Sequence, residues 1–345
     1  MNAHHPTIRA AKPLFMLAAA AMIAFMPMPA AAQDPIELKL TICTRNDPNE
    51  RLLNVIKDDL EKRPSNRFKT TIYPGCTLGS TQRLLEGVQL GTIEVYATPP
   101  VFAVSLNQAL QATDAPGLIK DLEHAGRTYA NRKFREKFDT LVLDKGVGIY
   151  ALWPHSTTNY VSSTPLRKLD DFKGKKFRVL ATKVEIEAMN RLGATGVPMD
   201  FSEVLPALQS KVLDGIRSNI VVMGAGKYFT ITKYITDVQD SMIPIGGWVS
   251  TQWLNKLPAD LQQMVLDTGR ETEDIVYKIC LDYDNRAAQL WKDNGAEVIK
   301  LSPADQAEFM RRFRSVADEV MGTDPALKEL YNLYKEVAES HRKKG

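Results

Sequence analysis

Few side chains in this sequence are of a type and spacing that performs covalent chemistry. Three histidines follow the first 32 residues, His124, His155 and His341, too scattered to suggest a metal site or a catalytic triad. Neither G-x-S-x-G nor H-E-x-x-H occurs. Gly224-Ala225-Gly226-Lys227 partly matches a phosphate loop, but Val221 occupies its first glycine position and Tyr228 replaces the Ser or Thr that holds magnesium. The more distinctive chemistry is cationic. In Lys175-Lys176-Phe177-Arg178-Val179-Leu180 an arginine lies within an apolar strand pattern. Arg178 either faces water from an edge strand or points into a cleft, where its planar guanidinium would match a carboxylate through two parallel hydrogen bonds. Phe201 precedes Ser202, a potential helix cap, so it either covers an anion at a helix N-terminus or packs as core.

The elements that must place these residues follow from periodicity. Glu37 to Ile42 alternates as a strand, 49–63 has helical spacing, and Phe68 to Tyr73 is a second strand stopped by Pro74-Gly75. Ser80 or Thr81 caps a helix that Gly91 ends, and Ile93 to Ala97 is a third strand. This rhythm predicts a parallel sheet with right-handed crossovers. Less regularly, strands recur at 146–153, 175–180 and 197–199, with extended chain at 215–219. Helices are expected at 183–192 and from a Ser202 cap through Leu208. Two α/β units imply two lobes, with any ligand at the carboxyl ends of their strands. A single helical run is expected from Ala259 to about Asn294, on the order of 50 Å at 1.5 Å per residue, long enough to brace both lobes. Ser302-Pro303 and Asp324-Pro325 each start a further helix.

The first residues read as an export signal: Arg9 and Lys12, an apolar run from Leu14 to Phe25, then Ala30-Ala31-Ala32, with cleavage expected near Ala32 and delivery to the periplasm. That run is short for a ~30 Å hydrocarbon core. With 44 basic and 41 acidic side chains, the chain lacks the charge excess of a nucleic-acid or membrane-surface binder. Its three cysteines match no zinc spacing, and no cofactor is expected. Cys43 and Cys76 both follow strands and are candidates for a disulfide in an oxidising compartment, whereas Cys280 is expected as a buried thiol.

Several blocks resemble the DctP family, the solute-binding subunits of tripartite ATP-independent periplasmic (TRAP) transporters. They are Gly174 to Val179, Leu192-Gly193-Ala194, Val197 to Val204, Ala207-Leu208-Gln209, Asp214-Gly215, Lys227-Tyr228, Lys233-Tyr234-Ile235 and Leu257 to Gln262. Tyr73-Pro74, Leu78-Gly79 and Ala115-Pro116-Gly117 agree more loosely. The resemblance implies an α/β, two-lobe periplasmic binding protein, type II-like, with a ligand cleft between the lobes and a long bracing helix. The implied division is 33–155 plus 244–283 for lobe I and 156–243 plus 284–345 for lobe II. It further implies that Arg178 pairs with a ligand carboxylate, that Phe201 lines the pocket, and that the partner is a membrane permease.

Three departures stand out. Thr158 takes the place of a second arginine of sialic-acid-type members, Arg217-Ser218-Asn219 replaces E-N-P after Asp214-Gly215-Ile216, and Leu180 replaces a proline. They weaken a sialic-acid assignment and leave sugar acids, keto or hydroxy acids and aromatic acids open. The candidate ligand-binding residues are therefore Arg178, Phe201, Ser218, Asn219, Thr158 and Ser80, with Arg45 and Arg217 as sources of a second positive group or as solvated surface arginines. Two alternatives to transport remain at this point: a ligand-loaded receptor for a membrane sensor, and a periplasmic enzyme.

Overall fold

The computed structural model describes residues 34–63, 67–180 and 182–342; the export signal expected at 1–32 lies outside the described residues. β1 (Ile36–Ile42) leads through α1 (Pro48–Lys62) to β2 (Phe68–Tyr73), and α2 (Thr81–Leu90) leads to β3 (Val95–Thr98). The local signals are strong here. Asp47 caps α1 by accepting from Glu50 N, ahead of Pro48 at the first helical position. Ser80 caps α2, and Gly91 ends it in the left-handed conformation that glycine adopts without a Cβ penalty. β1 pairs in parallel with both β2 and β3. After α3 (Leu122–Tyr129) and α4 (Arg132–Phe138) comes β4 (Val147–Thr157).

The chain then enters a second sheet. It is built from β5 (Asn159–Ser162), β6 (Lys176–Val179), α5 (Lys183–Arg191), β7 (Thr195–Pro198), α6 (Phe201–Gln209), β8 (Gly215–Ser218), α7 (Ile220–Ala225) and β9 (Tyr234–Thr236). It returns through β10 (Met242–Ser250), α8 (Thr251–Leu254), α9 (Ala259–Glu271) and α10 (Glu273–Asp293). β11 (Glu297–Ile299), α11 (Pro303–Met321) and α12 (Pro325–His341) complete it.

The first sheet has the order β2-β1-β3-β10-β4 and the second β11-β9-β5-β8-β6-β7. The expectation of a purely parallel first sheet is corrected by β10, which runs antiparallel between β3 and β4. Its sequence, MIPIGGWVS, is buried on both faces and so shows no alternation. Gly247 leaves the space that Tyr150 fills: a Cβ there would lie 2.5 Å from the ring.

The two sheets are joined at a narrow waist. Thr158 alone separates β4 from β5, and residues 237–241 carry the chain back from β9 to β10. These crossovers lie side by side: Thr158 N donates to Ser241 O at 2.9 Å, and Ser241 N donates to Thr158 Oγ1 at 3.0 Å. A third connection is helical. Val276 and Cys280 of α10 belong to the first core, whereas Ala287 and Trp291 belong to the second.

The single run expected from Ala259 is in fact two helices meeting at Thr272, whose hydroxyl donates to Thr268 O and Gly269 O. Gly269 lies against the Tyr150 ring, where any Cβ would collide. The division of the chain into lobes also changes at its end. Residues 284–345 were expected with the second lobe, but Leu327, Leu330, Tyr334 and Val337 of α12 pack into the first core. Tyr334 reaches Tyr129 with a hydroxyl–hydroxyl distance of 3.2 Å.

Candidate functional site

The carboxyl ends of β1 and β3 face those of β6 and β8 across a partly open cavity. This is where ligands sit in open α/β sheets. Thr44, Thr98, Pro99 and Phe102 line it from the first sheet's side. Arg178, Leu180, Phe201, Ser218, Asn219 and Val222 line it from the second, and Ile243 and Ile245 of β10 close it.

Arg178 lies on β6 between Val197 of β7 and Ile216 of β8, and it is only 1% exposed. Its Nε donates to Met199 O at 3.1 Å. Its Nη2 is buried with no hydrogen-bond partner among the described residues. The guanidinium carbon stands 5.8 Å from the centre of the Phe102 ring, within cation–π range. Burial lowers the arginine's pKa, opposed by the charge of Glu185 and by Tyr228 and Asp200. An arginine nevertheless stays protonated, so a buried positive charge with an open donor faces the cavity. A carboxylate satisfies both needs at once. Thr44 Oγ1, also on the cavity wall, is the other buried polar atom there with no partner among the described residues.

Phe201 is the first residue of α6, and the helix cap is Asp200 rather than the expected Ser202. Asp200 Oδ1 accepts from Ser202 N at 3.0 Å, while Asp200 Oδ2 accepts from Thr81 N at 3.0 Å. One carboxylate therefore caps a helix of the second sheet and binds the first turn of α2 beside the first. Two further contacts join the sides: Thr182 Oγ1 donates to Asp114 Oδ2 at 2.6 Å, and Lys183 N donates to Gln111 Oε1 at 3.1 Å. Asn219 caps α7, its Oδ1 accepting from Val222 N at 2.8 Å, which leaves its amide nitrogen as a donor at the cavity wall.

Of the eight residues expected at the ligand, the structure brings Arg178, Phe201, Ser218 and Asn219 to the cavity and places the other four elsewhere. Thr158 is at the waist, donating to Asp240 Oδ1. Ser80 is spent on the α2 cap, accepting from Arg83 N at 3.4 Å. Arg45 is exposed, its guanidinium lying over the turn at Gly75.

Arg217 is the instructive correction. It is as buried as Arg178, at 1% exposure, but its guanidinium is fully engaged. It donates to Glu185, to Asp240 Oδ1 at 2.5 Å and to Ser241 Oγ at 2.9 Å, and Asp114 is 3.6 Å away. Three carboxylates around one guanidinium leave negative charge in excess. Burial, together with the charge of Asp114, pushes Glu185 up to about 8 against the pull of Arg217, and burial pushes Asp114 up to about 6. Arg217 is thus the neutralising centre of the waist and has no charge to lend to a ligand.

Sequence reasoning missed Thr44, Thr98 and Pro99, although their position directly after β1 or at the end of β3 is the signal that would have found them. Phe102 sits in a short 3₁₀ turn, Pro100–Ala103, and no local pattern marks it. Cys43, also on the cavity wall, forms a disulfide with Cys76. The Cys280 thiol is buried.

The C4-dicarboxylate-binding periplasmic protein DctP of Rhodobacter capsulatus is 27% identical over 308 residues, covering 88% of this chain and 92% of its own. Among solved structures, the sugar acid binding protein from Advenella mimigardefordensis in complex with galactonate superposes with a TM-score of 0.85. It is 18% identical and covers 90% of this chain and 99% of its own. A TRAP periplasmic solute-binding protein from Desulfovibrio salexigens with bound orotic acid gives a TM-score of 0.83 at 24% identity, covering 89% and 99%. The family model of bacterial extracellular solute-binding proteins, family 7 (DctP), matches residues 41–324, and the chain belongs to that family.

Proposed function

We propose that this chain is the periplasmic solute-binding subunit of a TRAP transporter, capturing a small organic carboxylate on Arg178 and delivering it to membrane permease subunits. The observation that carries the reading is the buried Nη2 of Arg178, which lines a cavity between two sheets and has no partner among the described residues. Among the described residues of the wall, no side chain offers it a counter-charge. The relatives named above bind a C4-dicarboxylate, galactonate and orotic acid, all of them acids.

In this reading the lobes part at the waist, where Thr158 and Ser241 lie side by side. The ligand enters, its carboxylate meets the guanidinium fork, and the contacts Asp200 to Thr81 N and Thr182 to Asp114 form as the lobes close. Closure removes water and so strengthens the ion pair. The chain's role is binding and release rather than catalysis, and export removes the leader near Ala32. No helix of the described residues is long and apolar enough to cross a membrane.

The test is thermal unfolding of the mature protein against small organic acids and their neutral amides. An acid at ~100 times its dissociation constant stabilises the fold by about 2.7 kcal/mol. A midpoint shift with an acid and none with its amide supports the reading. Equal shifts with both would remove the role given to Arg178.

A further inference from the structure

The cavity wall narrows the class of acid. Arg178 is the one charged side chain that lines the cavity among the described residues. The second buried arginine, Arg217, is held by Glu185, Asp240 and Asp114 and is absent from the wall. A second carboxylate on the ligand would therefore lose its hydration without meeting a cation.

The body of the ligand meets mostly hydrocarbon. Ile42, Phe102, Leu180, Phe201, Ile243 and Ile245 supply the larger side chains of the wall. The polar groups are the hydroxyls of Thr44, Thr81, Thr98 and Ser218 and two amides, both of which are committed in part. Asn49 is held by Asp47 at 2.7 Å and by the Trp153 indole at 3.3 Å. Asn219 has only its amide nitrogen to offer. A hexuronate or aldonate carries a hydroxyl on nearly every carbon, and each one pressed against this wall without a partner weakens binding by about tenfold to a hundredfold. An apolar body gains affinity from the same contacts.

We infer that the ligand is a monocarboxylate with a compact apolar body, branched aliphatic or aromatic, its carboxylate on Arg178 and its body against Phe102, Phe201, Leu180 and the two β10 isoleucines. An oxygen next to the carboxylate fits as well, since Thr44 Oγ1 is unpartnered. This inference rests on the carboxylate-receptor reading but fails separately from it.

Calorimetry on the dialysed mature protein compares isovalerate, benzoate and phenylacetate with succinate, D-galacturonate and benzamide. Mass spectrometry of the supernatant after denaturation identifies any molecule carried from expression. The expected result is that one of the apolar acids binds at least about a hundredfold more tightly than succinate or galacturonate, and that benzamide does not bind. Val222→Thr, which puts a hydroxyl on the wall at nearly unchanged shape, should weaken that acid about tenfold with its unfolding midpoint monitored in parallel.

Preferred binding of succinate or galacturonate, or release of a dicarboxylate or polyhydroxy acid, overturns the apolar class and leaves the carboxylate receptor standing. Binding of benzamide as tightly as benzoate, or no binding by any acid with nothing released from folded protein, overturns both.

Discussion

Arg178 and Arg217 occupy adjacent parallel strands, β6 and β8, at the same burial, and among the described residues only Arg217 makes direct ion pairs with carboxylates of the protein. The difference lies in their surroundings. Arg217 faces carboxylates from three distant stretches of chain, at 114, 185 and 240, whereas Arg178 has a backbone carbonyl, an aromatic ring and a cavity. One arginine is structural and the other is open to a ligand.

Replacing Arg178 should act on binding. Arg178→Ala is expected to cost roughly 2–5 kcal/mol of ligand affinity, as for other desolvated charge pairs. Arg178→Lys should recover little, because an ammonium cannot reproduce the two-pronged geometry. Calorimetry against the wild-type ligand measures both; full recovery by lysine would mean that charge alone suffices.

Replacing Arg217 should act on stability. Arg217→Met strands Glu185, Asp240 and Asp114 without a counter-charge, and the expected loss is about 3–5 kcal/mol of unfolding free energy. Denaturant titration reads this directly. An unchanged midpoint would show that the carboxylates had already taken up protons.

The same cluster sets a pH dependence. Glu185 is raised to about 8 and Asp114 to about 6 in the fold, so the folded protein holds protons that the unfolded chain has released. Their contribution is fully present below the unfolded carboxylate values near ~4 and is lost as pH rises through the folded ones. The unfolding free energy should therefore fall as pH rises from about 4 to about 8, by at most about 1.4 kcal/mol per pH unit per proton. Glu185→Gln, which mimics the protonated acid, should flatten that slope. A slope unaltered in the variant would place the proton on another group.

Asp200 links helix capping to closure. Asp200→Asn keeps the oxygen that caps α6 but turns an amide N–H toward Thr81 N and so loses that contact, while Asp200→Ala also loses the cap, worth about 1 kcal/mol. Ligand-induced compaction in small-angle scattering should weaken in the alanine variant more than in the asparagine one. Identical scattering in all three proteins would remove the latch.

Thiol counting gives the simplest check. With Cys43 and Cys76 joined and Cys280 buried, the native mature protein should expose no reactive thiol and show one after denaturation without reductant. Burial raises the Cys280 thiol well above its usual range and slows its reaction further.

What was legible in the sequence was whatever local pattern specifies. Gly91, Ser302-Pro303 and Asp324-Pro325 mark helix ends through their own backbone chemistry, and the structure has helix boundaries at each of them. Where two capping residues stand two apart, Asp200 and Ser202, pattern alone chose the wrong one. β10 escaped because a strand buried on both faces has no alternation to read. For the site, residue type offered both Arg178 and Arg217 as cations. Only the folded chain brings Asp114, Glu185 and Asp240 to one of them, and a carboxylate far away in sequence leaves no local trace.

The placement of α12 sets an order on assembly. His124 Nε2 sits 2.7 Å from Ala338 O, and Tyr129 meets Tyr334, so the first core is finished by residues more than two hundred positions downstream of those they contact. Contacts of that sequence separation form late, since the loop between them must first be closed. A nascent chain that has yielded β1 through β4 therefore still has an open flank over α3 until the final helix arrives. Ligand capture is a property of the completed chain, and a translation product stopped short of α12 would be an incomplete receptor even though it contains every residue of the cavity wall.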